Sequence, residues 1–262
     1  MNCPICNSSR FCTHLKVGNY SILKCQNCSH GILEGFDNAR YDESYFASHY
    51  KAPRLNTAEF SKKIKEQSHR VKKVIAFIKK GRLLDIGCGL GHFLYAAKIS
   101  GYDVMGYDFV ETNKDYVTNT LGIELLTSSE DNSKITNNKF DIVTSWHSLE
   151  HSTNPNQYLQ FTRKALCDKG ILIIEVPTHD CIDAFVMGQS WPNWDPPFHY
   201  QHFTQKSLRP LLNKNGYKII REYTYNCDYI RNTLKKSPFF LFARSISKLF
   251  RGSSVACICK KI

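Results

Sequence analysis

Nowhere in the 262 residues does an apolar run approach the roughly 18 residues of a membrane-spanning helix, which excludes a transmembrane segment. Met1-Asn-Cys-Pro has neither the basic nor the apolar region of a secretory signal, so the expected location is the cytoplasm. There is no internal repeat and no low-complexity tract, which excludes a solenoid. Acidic residues are in deficit: 23 Asp and Glu face 35 Lys and Arg, a net charge of +12. Such an excess suits nucleic acid or phosphorylated small molecules, and charge alone does not choose between them. An apolar content of 42% is enough for a buried core, and the length fits one large domain or a domain with a small module. Eleven cysteines in a reducing compartment point to metal ligands and buried thiols instead of disulfides.

The most informative stretch is 83–94, Leu-Leu-Asp-Ile-Gly-Cys-Gly-Leu-Gly-His-Phe-Leu. A short apolar run ends at Asp85, glycines follow at 87, 89 and 91, and an amphipathic segment begins. This pattern predicts a buried strand, a tight turn and a helix start. Glycine lets the turn take positive φ and lets a ligand approach bare backbone, and the helix N-terminus favours a negatively charged group. The order G-x-G-x-G differs from the dinucleotide fingerprint G-x-G-x-x-G. A second predicted strand ends at Asp108, 21 residues after Gly87, where an acidic side chain is suited to ribose hydroxyls. Together they fit an adenosyl ligand without a pyrophosphate.

Asp85-Ile-Gly-Cys-Gly-Leu-Gly91 resembles the first motif of class I S-adenosylmethionine-dependent methyltransferases. Phe140-Asp-Ile-Val-Thr-Ser-Trp-His-Ser-Leu-Glu-His151 is similar to the fourth-strand motif of the subgroup related to ubiquinone-pathway O-methyltransferases, and Lys169-Gly-Ile-Leu-Ile-Ile-Glu-Val-Pro177 to the fifth strand. Asp195-Pro-Pro-Phe-His-Tyr-Gln-His-Phe-Thr204, with Leu208, Leu211, Leu212 and Gly216-Tyr217, resembles that subgroup's substrate loop and following helix. Phe198 departs from it, since many relatives carry Arg there. The resemblance covers about residues 80–262 and implies a doubly wound, seven-stranded, mostly parallel α/β sheet that binds S-adenosylmethionine. It implies that Gly87, Cys88, Gly89 and Gly91 pass close to the methionine portion and that Asp85 holds its ammonium. Asp108 would accept from the ribose, with Phe109, Ser129 and Glu130 on the adenine side, where the local match is poor. Trp146 and His147 would face the reactive end of the cofactor.

The N-terminus carries a second signal. Cys3-Pro-Ile-Cys6 and Cys25-Gln-Asn-Cys28 are two C-x2-C pairs separated by 18 residues, a spacing suited to a four-cysteine zinc site. Four thiolates complete a tetrahedron and leave no open position, so the zinc is expected to be structural. Cys12, His14 and His30 lie nearby, and residues 15–24 alternate like a short hairpin. A module this small buries little core and is expected to need its metal to fold.

The expected organisation is a zinc ribbon at 1–35, a linker and helical cap at 36–80, and an S-adenosylmethionine-binding domain at 81–262. Tyr41, Tyr45, Phe46 and Tyr50 form an aromatic patch in the linker, and 57–80 has helical spacing. From Arg82, strands at 82–86, 103–107, 123–126, 140–145 and 170–176 alternate with helices at 91–100, 111–121 and 155–167, the pattern of a parallel doubly wound sheet. An irregular loop at 178–203, a helix near 205–214 and a strand at 217–225 follow, and 253–262 reads as a final edge strand. The resemblance implies that this last strand inserts antiparallel beside the sixth. Residues 235–250 place Phe239, Phe242, Ile246, Leu249 and Phe250 on one helical face. That face fits a crossover helix packed on the sheet, or weak contact with a membrane surface.

Methyl transfer from a sulfonium is an in-line displacement, accelerated by alignment of nucleophile, methyl and sulfur. An alcohol acceptor must also lose a proton, and a histidine near neutral pKa is a suitable base. Of His147, His151, His199 and His202, His199 is the first choice because its loop is expected to close over the cleft, and His147 is the second. The leading expectation is an O-methyltransferase acting on a small polar acceptor, a sugar or a phosphorylated or nucleotide-linked molecule, in surface polysaccharide decoration. An RNA base methyltransferase with a zinc-ribbon RNA-binding module is the alternative. The fourth strand lacks the Asn-Pro-Pro-Tyr type of motif, and the dispersed basic residues form no basic-aromatic cluster, so nucleic acid is not the expected partner. A cofactor-binding protein without catalysis is the third reading, and the oligomeric state is left open.

Overall fold

Two sheets account for the architecture. The computed structural model describes residues 1–35, 52–130, 133–137, 139–225 and 227–262, and the aromatic patch at Tyr41, Tyr45, Phe46 and Tyr50 lies outside them. In the N-terminal module, β1 (Phe11–Val17) and β2 (Tyr20–Cys25) pair as an antiparallel hairpin that begins earlier than 15, and β3 (Gly31–Leu33) pairs with β2. The large sheet takes β4 (Arg82–Ile86), β5 (Asp103–Asp108), β6 (Glu124–Thr127), β7 (Phe140–Trp146) and β8 (Leu166–Pro177). A two-residue strand, β9 (Gln201–His202), joins the small sheet, giving the order β1-β2-β3-β9. The C-terminal strands β10 (Tyr217–Thr224) and β11 (Ser254–Lys261) complete the large sheet in the order β10-β11-β8-β7-β4-β5-β6.

The first five strands of that sheet pair in parallel and are covered on both faces, which is why they read as continuous apolar runs. Helices α1 (Ala58–Glu66), α2 (Ser68–Ile75) and α3 (His92–Ile99) lie on one face. There Val71, Val74, Phe93 and Leu94 pack with Leu83, Ile142 and Ile173. The short α4 (Ser133–Asn137) and α5 (Pro155–Ala165) cover the other face. On that side Tyr158 and Leu159 meet Leu84, Ile86, Val143 and Ile174. The segment 178–203 is more ordered than a plain loop, since it forms α6 (Ile182–Met187), two 3-10 turns and β9. It is pinned at its end by α7 (Gln205–Lys214). Thr204 and Ser207 cap α7 reciprocally, and Leu208, Leu211 and Leu212 are buried, each side chain stabilising the fold by about 1.5–3 kcal/mol.

Four expectations need correction. The last strand is not an edge: β11 lies between β8 and β10, antiparallel to both, so Cys257, Ile258 and Cys259 are buried and β10 takes the edge. The helix predicted over 57–80 breaks at Gln67 into α1 and α2. The helix predicted over 111–121 is reduced to a π-helical turn at Tyr116–Thr120. The stretch 235–250 is not one crossover helix. It continues from α8 (Asp228–Lys235) through a 3-10 turn at Phe240–Phe242 into α9 (Ala243–Ser247), with Phe239, Phe242, Leu249 and Phe250 exposed. Pro238 and the short apolar spacing prevent a continuous helix there.

Candidate active site

The winding of the sheet reverses between β4 and β7. The chain leaves β4 toward β5 and β6, then returns to pair β7 on the other side of β4. In open α/β sheets the crevice at such a point, outside the carboxyl ends of the strands, is where ligands bind. The turn after β4 opens into it. Gly87 has φ +74, and a side chain there would place its Cβ 2.1 Å from Ser148 Oγ, so only glycine fits. Gly89 has φ +53, and a Cβ there would meet nothing within 4 Å among the described residues. That difference separates a glycine required by packing from one that leaves bare backbone toward a ligand.

The two predicted aspartates flank the turn. The Asp108 carboxylate accepts from Gly89 N at 2.7 Å and Val110 N at 3.3 Å, which ties the tip of β5 to the glycine turn. Burial raises its pKa, and these backbone donors oppose the rise. A carboxylate accepts about four hydrogen bonds, so capacity for ribose hydroxyls remains. Asp85 is buried, accepts from Thr144 Oγ1 at 2.7 Å, and has its pKa pushed up to about 7 by burial. Burial also keeps the Cys88 thiol protonated. Phe109 follows Asp108 with its ring 47% exposed and stacked beside Tyr158. Ser129 Oγ donates to Glu111, and Glu130 is held by Lys114 Nζ at 2.7 Å and Thr127 N at 2.9 Å. Trp146 is buried against Phe93, and its indole N–H has no hydrogen-bond partner among the described residues. Open space over Gly89 among the described residues and two carboxylates beside it suit a cationic nucleoside.

Beyond β7 and β8 lies a chain of charged groups. His147 takes φ +54, uncommon for a side chain other than glycine, and donates its backbone N–H to Glu175 O at 2.9 Å. Its ring sits between two carboxylates, with Nε2 2.9 Å from Glu175 Oε1 and Nδ1 3.2 Å from Glu150 Oε1. Burial lowers the pKa of His147, but the two carboxylates outweigh it and hold it at about 9. His147 is therefore an imidazolium at neutral pH. Burial raises the pKa of Glu175, and His147, Arg70 and Tyr225 more than offset this and bring it to about 2. Arg70 lies 3.5 Å from Glu175 and stacks over Trp146, Tyr225 donates to Glu175, and Lys73 donates to Tyr225 at 3.0 Å. On the other side, His199 is buried, with Nδ1 2.8 Å from Asn193 O, and its ring meets that of His151 edge-on at 4.6 Å. His199 Nε2 lies 3.8 Å from Asp195 Oδ2. Glu150, His151 and His199 bring one ligand atom each within 4.8 Å of one another. His202 is buried against Trp194, and burial lowers its pKa far below the usual imidazole value.

The four cysteines of the N-terminal module converge. Cys3 and Cys28 lie with their sulfurs 3.5 Å apart, as do Cys6 and Cys25, and all four sulfurs fall within 4.8 Å of one another. A tetrahedron with metal–sulfur bonds of about 2.3 Å needs sulfurs about 3.8 Å apart, so the set fits zinc. Both pairs form the same knuckle: Asn7 N donates to Cys3 O and Ser29 N to Cys25 O, with positive φ at Asn7 and Ser29. His30 is not one of the converging groups. It is fully buried, packs on Phe203 and bonds Gln201 Oε1 through Nε2 at 2.7 Å. This bond, the β3–β9 pairing and Leu33 N donating to Tyr200 O fasten the module to the loop that carries His199.

A family model described as a methyltransferase domain matches residues 51–222. The chain belongs to the class I S-adenosylmethionine-dependent methyltransferases. The methyltransferase is 28% identical over 158 residues to the ubiquinone biosynthesis O-methyltransferases of Bartonella tribocorum and Bartonella quintana. That match spans 55% of this chain and 64% of each relative's length. Among solved structures, an S-adenosylmethionine-dependent methyltransferase from Archaeoglobus fulgidus aligns with TM-score 0.57 and 20% identity, over 76% of this chain and 94% of that one. Magnesium protoporphyrin IX methyltransferase from Synechocystis, with bound S-adenosylhomocysteine, aligns with TM-score 0.54 and 16% identity, over 84% and 94%. These likenesses establish the shared fold.

Sequence reasoning missed Arg70, Lys73, Glu150, Glu175 and Tyr225. Glu175 had a signal, being a lone acid in the apolar run of β8. Arg70 had none: it sits among other basic residues of α2, and only the tertiary structure brings it to Trp146.

Proposed function

We propose that this chain transfers the methyl group of S-adenosylmethionine to a hydroxyl oxygen of a small polar acceptor, a sugar or a phosphorylated or nucleotide-linked molecule, with surface polysaccharide decoration as its setting. The observation that carries the reading is the run of His199, His151, Glu150, His147 and Glu175 beside the glycine turn. Gly87, Cys88, Gly89 and Gly91 carry the methionine portion, with Asp85 toward its ammonium and Asp108 on the ribose. Phe109, Ser129 and Glu130 border the adenine, and Trp146 borders the sulfonium. S-adenosylmethionine supplies an electrophilic methyl when bound. The residues of this chain align the acceptor with it and remove the acceptor's proton. His199 is the better base of the two candidates, because the Asn193 carbonyl engages Nδ1 and leaves Nε2, beside Asp195, as the nitrogen that meets the acceptor's proton. His147, cationic and with both ring N–H groups engaged by Glu175 and Glu150, serves instead to hold those two carboxylates in place beside the acceptor.

Cys3, Cys6, Cys25 and Cys28 hold a structural zinc in this reading, and their module steadies the acceptor loop. One observation favours a second role for the histidines: Glu150, His151 and His199 form a ligand set suited to a divalent cation. The test is transfer of labelled methyl to a panel of nucleotide sugars, free sugars and RNA stem-loops. The reading expects a sugar-class acceptor, with activity lost in His199→Ala. Methylated RNA, or full activity in His199→Ala with a sugar, contradicts it. A second divalent cation bound by the zinc-loaded protein, and lost in His151→Ala, supports the second role.

A further inference from the structure

The face built by α6, α8, the turn at Phe240–Phe242 and α9 is not used by the chemistry above. Sixteen large apolar side chains are exposed among the described residues, and nine lie on this face: Phe185, Val186 and Met187 in α6, and Tyr229, Phe239, Leu241, Phe242, Leu249 and Phe250 beyond β10. Scattered single apolar residues are ordinary on a surface, but a concentration of this kind marks an interaction site. Phe185, Leu249 and Phe250 line one open hollow, and the turn at Phe240–Phe242 packs on both α8 and α9, so the patch is continuous.

The patch is held with its apolar side chains outward. Buried Asp183 accepts from Tyr229 N at 2.7 Å and Ser253 Oγ at 2.8 Å, fixing α8 and the residue before β11 to α6. Cys227 N donates to Ser247 O, and Arg251 pairs with Asp180 at 2.8 Å. Ala243 and Ser247 are the residues α9 turns inward, which leaves its larger neighbours in solvent. Charge identifies the occupant. From Tyr229 to the last residue there is no Asp or Glu, while Arg231, Lys235, Lys236, Arg244, Lys248 and Arg251 fall within 21 residues of sequence. Arg231 is paired with Asp228, whereas Lys235, Lys236, Arg244 and Lys248 are exposed and form no ion pair among the described residues. Short helices with apolar side chains beside unpaired cations match a surface of anionic headgroups over acyl chains.

We infer that this face docks the protein peripherally on an anionic membrane surface, with Phe239, Leu241 and Phe242 entering the headgroup boundary and Lys235, Lys236, Arg244 and Lys248 meeting the lipid charge. Because Gly188 follows α6 directly, docking here brings the acceptor loop close to the bilayer.

The test is co-sedimentation of the full-length protein with vesicles of phosphatidylcholine alone, or of phosphatidylcholine and phosphatidylglycerol in equal parts. The inference expects binding to the mixed vesicles only, weakened by salt. Each basic residue near the surface is worth roughly fivefold in partitioning, so Lys235→Glu with Lys236→Glu is expected to cut binding by about 25-fold or more. The triple variant Phe239→Ser, Leu241→Ser, Phe242→Ser is expected to lose at least about tenfold, since its side chains carry the apolar contact. All these positions are exposed, so both variants are expected to keep the wild-type melting shift with S-adenosylhomocysteine. No sedimentation of wild type with the mixed vesicles, or undiminished binding by both variants, overturns the inference. A concentration-dependent dimer that the triple variant dissolves, without vesicle binding, would assign the face to a second copy of the chain instead.

Discussion

Alanine at Gly87 and at Gly89 makes the same chemical change two residues apart, and the structure predicts opposite failures. Both positions have positive φ, which costs an L-residue roughly 1–2 kcal/mol. At Gly87 the new Cβ would also stand 2.1 Å from Ser148 Oγ and 2.5 Å from Ser148 Cβ. Ser148 is buried and hydrogen-bonded to Tyr158, so it yields only by disrupting its surroundings, an overpacking cost of about 1–3 kcal/mol. The sum for Gly87→Ala is about 2–5 kcal/mol. At about 2–4 °C per kcal/mol for a chain of this size, its melting temperature is expected to fall by roughly 4–20 °C. Gly89→Ala meets no atom of the described residues within 4 Å, so only the backbone cost remains and the fall is roughly 2–8 °C. Its methyl, however, occupies the space assigned to the cofactor. A tenfold loss of affinity corresponds to about 1.4 kcal/mol, and at least that is expected for S-adenosylhomocysteine by titration calorimetry. Wild-type affinity in a folded Gly89→Ala protein would refute the cradle.

Three further outcomes follow from the buried polar groups. Asp85 has its pKa raised on folding from 3.8 to about 7, so its ionisation opposes folding, and ligand-free stability is expected to decline as pH rises across that interval. A ligand ammonium favours the anion. The melting shift given by S-adenosylhomocysteine is therefore expected to grow as pH rises through about 7 and to lose that dependence in Asp85→Asn; a flat wild-type profile counts against the contact. Gln201→Leu strands buried His30 and is expected to cost about 1–3 kcal/mol in chemical denaturation, while an unchanged midpoint would show that the clamp contributes nothing. Purified protein is expected to hold about one zinc per chain. Its removal is expected to speed hydrogen exchange at Ile32 and Leu33, which pair with the acceptor loop, and to leave S-adenosylhomocysteine binding in place; metal-free protein with the same protection contradicts the ribbon.

The strand alternation from Arg82 onward was legible because parallel strands are covered on both faces, and their apolar runs carry that burial directly. The glycine turn and the tip of β5 were legible because positive φ and a carboxylate at a strand end leave fixed residue types at fixed spacing. What stayed hidden depends on distant contacts. Nothing local marks Arg70 or Tyr225, which reach Glu175 from α2 and from beyond β10. The place of β11 between β8 and β10 was invisible for the same reason, since an antiparallel inner strand and an edge strand share one local pattern. The periodicity at 235–250 misled, because amphipathic spacing does not say whether the apolar side meets the sheet or faces outward.

The most direct measurement is a crystal structure of the full chain grown with S-adenosylhomocysteine. The account predicts density over Gly89, with both ribose hydroxyls within hydrogen-bond distance of the Asp108 carboxylate and the amino group toward Asp85. An empty crevice under saturating ligand, or the nucleoside bound elsewhere on the sheet, would contradict it.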